Sequence, residues 1–152
     1  PKHEVRYELS FKPYEPEYRS NTFKWRISGF KGLFTWFHLY DPKCEIKDSL
    51  YCMITIDPQA LNKPEDVLTS ETHLMSRSLD NFGVTPIEQI AINGRTFKYI
   101  KYSGLWRDGA PCKGVSFATI DKKQRFSLTL HGNGVIDPEQ VGKTILQAMK
   151  SR

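Results

Sequence analysis

Cysteine is scarce in this sequence, and the three that occur, Cys44, Cys52 and Cys112, form no C-x-x-C pair. That spacing excludes a local zinc knuckle or dithiol redox motif. The four histidines, His3, His38, His73 and His131, fall on separate segments without metal-ligand spacing. The longest apolar stretch, Gly32 to Tyr40, is broken by Thr35 and His38. It reaches about half the length that a membrane-spanning helix needs, so no transmembrane segment is expected. Runs of one charge are also missing: 22 Lys and Arg residues are interleaved with 17 Asp and Glu residues. The net charge of +5 admits an anionic partner, but the clustering of a nucleic-acid footprint is lacking, so that role is not favoured. There are no internal repeats and no low-complexity tracts.

What is present suits one compact unit. A chain of 152 residues with 39% hydrophobic and 12% aromatic residues can bury a core without a disulfide or metal, and reads as a single domain over 1–152. The aromatic share favours sheet over helical bundle. The chain opens at Pro1 without an apolar leader, as expected of a mature form whose targeting segment was removed. A periplasmic or secreted setting is favoured over the cytoplasm.

Period-two alternation predicts strands over Glu4–Phe11, Thr22–Phe30, Leu33–Tyr40 and Leu50–Asp57, with Lys12–Asn21 as a loop or edge segment. Asn62 and Pro64 then open a helix whose apolar residues, Val67 through Phe82, keep helical spacing until Gly83. Asn93-Gly94 between Ile87–Ile92 and Thr96–Tyr102 predicts a tight hairpin, because both turn positions need positive φ. A second hairpin pairs Gly114–Ile120 with Arg125–His131 around Asp121–Gln124, with Phe126, Leu128 and Leu130 facing inward. Asp137-Pro138-Glu139-Gln140 caps a terminal helix whose buried stripe is Val141, Ile145 and Met149. The fold class is therefore α+β, a mostly antiparallel twisted sheet flanked by two helices.

No catalytic, cofactor-binding or metal centre emerges from these segments. Cys52 lies on the apolar side of its strand, either as a small buried hydrophobe or bridged to Cys44. A nucleophilic Cys112 beside His131 would need the fold to assemble it. Gly132-Asn133-Gly134 reads as a turn and not a phosphate cradle, because Asp137 occupies the following helix start. The loop Leu105–Lys113 gathers Trp106, Arg107 and Asp108, residue types that anchor interfaces, although Trp106 could equally close the core as a lid. Lys98 and Lys101 beside Tyr99 and Tyr102 offer a second candidate surface, or ordinary sheet decoration.

The strand Phe23–Ile27, the strand Leu50–Asp57 leading to a helix, the turn Ile92-Asn93-Gly94-Arg95, the hairpin Val115–Leu130 and the helix from Pro138 together resemble the PsbP-like family. That fold is shared by extrinsic photosystem proteins, a Ran-binding nuclear factor and many small bacterial proteins. The resemblance implies a PsbP-like sandwich without enzymatic activity, binding a protein partner as an assembly factor, adaptor or envelope protein. A ligand-binding domain or enzyme with a pocket between sheet and helix stays open as an alternative, as does nucleic-acid binding.

Overall fold

The computed structural model describes residues 7–8, 15–16, 21–27, 30–40, 45–57, 63–121, 124–148 and 150–151. In chain order, the strands are β1 (Tyr7–Glu8), β2 (Glu15–Pro16), β3 (Asn21–Ile27), β4 (Phe30–Tyr40) and β5 (Leu50–Asp57). Helix α1 (Pro64–Ser78) leads to β6 (Asp80–Val84), β7 (Glu88–Ile92), β8 (Arg95–Leu105), β9 (Pro111–Asp121) and β10 (Gln124–Gly132). Helix α2 (Pro138–Ala148) and β11 (Lys150–Ser151) complete the order. A small β1–β11 pair stands apart from the main sheet, which runs β2-β4-β5-β10-β9-β8-β6. Strand β3 also lies against β4 and β7 against β8, and every pairing is antiparallel.

Several local signals act as the sequence predicts. Ile92 pairs with Arg95 across Asn93 and Gly94, both at positive φ (52° and 75°), as a type I′ turn requires. Asn93 adds a second function: its Nδ2 donates to the Gln147 carbonyl at 2.6 Å, satisfying an acceptor at the end of α2. At the other end of that helix, Asp137 Oδ1 accepts from the Glu139 amide at 3.0 Å. Val141 and Ile145 are buried as the stripe demands, while Met149 lies outside the described residues.

Helix α1 is shorter than its periodicity suggests. It stops at Ser78, Leu79 turns extended, and Asp80–Val84 forms β6 where a last helical turn was expected. Phe82 still packs inward, beside Tyr102, but from a strand kinked at Asn81 (φ 52°). The start is set by Pro64 in the first turn and by Asp66, whose Oδ2 accepts from the Lys63 amide at 3.1 Å. The cap suggested at Asn62 lies outside the described residues, as does most of the strand expected over Glu4–Phe11.

The two helices lie on opposite faces of the sheet. Phe97, Tyr99, Val115, Phe117, Phe126, Leu128 and Leu130 share one cluster with Val141, Ile145 and Leu146 of α2. Gly142 permits that close approach, because a Cβ there would stand 2.6 Å from the Phe117 ring. The alternate residues of β8 turn the other way, Ile100 joining Leu68, and Tyr102 joining Met75 and Leu79. β8 and β9 are therefore covered on both faces, and period-two alternation divides their side chains between two interiors.

Candidate functional site

The hairpin β8–β9 runs past the helices and ends in a hydrogen-bonded turn. Trp106 N donates to the Ala110 carbonyl (2.9 Å), Gly109 N to the Trp106 carbonyl (2.8 Å), and Ala110 N to Asp108 Oδ1 (2.9 Å). Gly109 supplies the positive φ of 85° that closes this turn. Arg107 and Asp108 are exposed at its tip. Asp108 spends one carboxylate oxygen on the turn, whereas Arg107 makes no ion pair with any described residue.

Trp106 sits lower. It is partly buried against the cluster of Met75, Leu79, Tyr102 and Cys112, and its ring centroid lies 5.7 Å from that of His131. It therefore closes the core at the sheet end, and the displayed part of the loop is Arg107-Asp108.

Beneath Trp106, one rung crosses five strands. Tyr102 on β8 pairs with Gly114 on β9, Gly114 with His131 on β10, His131 with Tyr51 on β5, and Tyr51 with His38 on β4. The Tyr51 and His131 rings stack at 5.1 Å, and His38 meets Tyr51 edge-on at 5.6 Å. Here His131, Tyr51, Tyr102, Glu71 and Cys112 are each pushed toward the uncharged form. Burial, then the charge of His38, lowers the His131 pKa; burial, then Glu71 and Cys112, raises that of Tyr102. Burial alone raises Glu71 and pushes the Cys112 thiol up to about 11. A nucleophilic cysteine needs the opposite shift, and no hydrogen bond among the described residues joins Cys112 to His131. The sequence places these residues on distant segments, so only strand register could have united them.

The second candidate surface is overturned by the same two-sided geometry. Lys98 and Lys101 differ in parity and project from opposite faces of β8. Lys98 Nζ donates to Gln89 Oε1 at 2.5 Å and pairs with Glu65 of α1 at 3.7 Å. Lys101 pairs with Glu139 of α2 at 3.2 Å. Tyr99 and Tyr102 are buried, so these four residues present no common outward face. Both lysines are held by helix carboxylates, and no basic stripe forms along this strand.

Cys52 is a free, buried thiol in the α2-side core; burial raises its pKa well above the ordinary value. It packs as a small apolar group, while Cys44 lies outside the described residues. The turn after β10 is also structural. Asn133 Nδ2 donates to Asp48 Oδ1 at 2.6 Å, and its Oδ1 accepts from the Val135 amide at 3.0 Å. Among the described residues, no group of three or more His, Cys, Asp or Glu side chains could hold a metal ion, and no helix is long and apolar enough to cross a membrane.

No protein-family model and no curated protein matches the chain. Solved structures do match in fold. PA94 of Pseudomonas aeruginosa, a protein of unknown function, superposes with a TM-score of 0.56 at 16% identity, over 86% of this chain and 97% of that chain. LpqN, involved in cell envelope biogenesis of Mycobacterium tuberculosis, gives 0.51 at 11% identity, over 98% and 92%. Cyanobacterial PsbP (CyanoP) from Synechocystis gives 0.51 at 12% identity, over 88% and 92%. The α+β sandwich described above is thus a PsbP-like fold.

Proposed function

We propose that this chain is a non-catalytic protein-binding module and that the tip of the β8–β9 hairpin contacts its partner. The observation that carries the reading is Arg107, exposed and without an ion pair among the described residues, on a turn fixed by three hydrogen bonds. A rigid tip loses little conformational freedom on association, and arginine is among the residues that most often dominate interfaces. The groups packed under Trp106 give the loop a firm base. A binding role agrees with the fold, although a fold of this kind does not choose the partner.

Arg107→Glu leaves the core under Trp106 intact and reverses the charge at the tip. Proteins captured from the source lysate by the wild-type chain should be lost with this variant and kept by Lys63→Glu, an exposed change at the start of α1. An identical set of captured proteins with Arg107→Glu would overturn the reading.

A setting in the cell envelope or beyond it is part of the proposal. Its support is the fold shared with LpqN, a protein involved in cell envelope biogenesis. Fractionation of source cells that placed the protein in the cytosol would contradict this.

A further inference from the structure

His131 is the point at which the hairpin tip meets the sheet. Alternation along β10 sends Leu130 into the α2-side core and leaves His131 on the face that Trp106 covers. Its ring stacks on Tyr51 at 5.1 Å and meets Trp106 at 5.7 Å. The Trp106 backbone in turn closes the tip, donating to the Ala110 carbonyl and accepting from the Gly109 amide. One side chain therefore separates this imidazole from the turn that displays Arg107 and Asp108.

The surroundings offer no counter-ion for an imidazolium. Gly114, the partner of His131 on β9, has no side chain, and the Tyr102 ring from β8 fills the place where one would stand. Strand β5 contributes Tyr51, and β4 contributes His38, a second imidazole. Further along β9, burial keeps the Cys112 thiol protonated, and from α1 burial pushes Glu71 toward its neutral form. Beyond β10, Asp48 is engaged by Asn133 Nδ2 and the Glu45 amide. At the tip, Arg107 has the sign of an imidazolium, and Asp108 commits one oxygen to the Ala110 amide. No carboxylate forms an ion pair with His131 among the described residues.

A proton on His131 sets a charge against burial and against His38, and lifting Trp106 gives that charge access to water. Acid therefore favours the unseated tryptophan. The seated form holds its full advantage above the ordinary histidine pKa of 6.5 and loses it as pH falls through that value. With the proton bound only in the unseated form, the ratio of seated to unseated chains falls by at most about tenfold between pH 7.5 and 5.5.

We propose that His131 is an acid-sensitive latch: its protonation releases Trp106 and loosens the turn that carries Arg107, so the tip is rigid at neutral pH and mobile in acid. His131 is a positioning residue that acts through Trp106. The proposal rests on the protein-binding reading above and supplies its regulation.

Amide exchange of the ¹⁵N-labelled full chain, followed by NMR and expressed as protection relative to an unstructured peptide at the same pH, tests it. Protection of the Trp106 and Gly109 amides should fall by up to about tenfold between pH 7.5 and 5.5. It should stay below that of Leu128 in the middle of β10 and be unaffected by dilute urea, which marks a local opening. His131→Gln should abolish the fall. His38→Gln should shrink it by removing an opposing charge, and decides the matter if His131→Gln does not fold. Protection that is constant or rises in acid, as when the Tyr51 and Trp106 rings hold the imidazolium, would overturn the proposal. So would a fall that persists in His131→Gln, or tip amides that exchange only with Leu128. A tip insensitive to pH, with partner capture lost in Arg107→Glu, refutes the latch and leaves the protein-binding reading standing. An acid-loosened tip with capture unchanged in Arg107→Glu upholds the latch and overturns that reading.

Discussion

Tyr102 carries the most exposing test of the packing under Trp106. It is 4% exposed and shares a cluster with Met75, Leu79 and Cys112, and its buried hydroxyl has no hydrogen-bond partner among the described residues. Tyr102→Phe keeps the ring and removes only the oxygen. A buried polar group left unpaired costs about 1–3 kcal/mol, so the variant should be more stable by about 1–2 kcal/mol. For a domain of this length that corresponds to a rise in Tm of roughly 2–8 °C. Tyr99→Phe is the control, because the Glu88 carboxylate paired across the sheet acts on the Tyr99 hydroxyl and pushes its pKa up to about 12. It should lose about 0.5–1.5 kcal/mol. Urea unfolding of the three proteins, with a common m-value, measures both changes. If Tyr102→Phe is destabilised as much as Tyr99→Phe, the hydroxyl has a partner in solution. Glu71, whose charge acts on Tyr102, would be the first to examine.

Other tests probe the same interior and its edges. Gly114→Ala places a methyl inside the Tyr102 ring and should destabilise the fold by about 1–3 kcal/mol or more, read by urea unfolding, with the loss reduced in a Tyr102→Ala background. His131 is held neutral below its ordinary pKa of 6.5, so the unfolded chain binds the extra proton. Stability should therefore fall as pH drops through 6.5, and His131→Gln should flatten that slope in unfolding curves taken between pH 5 and 7.5. Glu71 has the opposite sign: its raised pKa penalises the ionised form, so Glu71→Gln should raise stability near pH 7 in the same assay. Asn93→Gly keeps the positive φ of the turn but loses the bond to Gln147, and should cost about 0.5–1.5 kcal/mol with faster amide exchange in the last turn of α2.

Local chemistry made much of the fold legible. Asn93-Gly94 could close only a two-residue hairpin, and Asp137-Pro138 could only begin a helix. Strand β5 coincides with its alternating run from Leu50 to Asp57, and Phe126, Leu128 and Leu130 are fully buried as the pattern required. Strand β6 was not legible, because Leu79 and Phe82 continue the helical spacing of Met75. The extended backbone at Leu79 and the kink at Asn81 then bring Phe82 to the same core by another route.

The candidate surface failed where sequence neighbours were treated as spatial neighbours. In a strand, Lys98 and Lys101 cannot share a face, and with α1 and α2 on opposite sides neither face of β8 is outward between Phe97 and Tyr102. That two-sided burial also limits where recognition can occur. Residues at the middle of β8 and β9 are committed to one helix or the other, so along this hairpin the exposed groups lie toward its ends, Thr96 and Ile120 at one and the turn that carries Arg107 at the other. Tyr102, Gly114, His131, Tyr51 and His38 stand in one rung only because five strands distant in sequence pair side by side, so register, and not composition, creates the packing under Trp106.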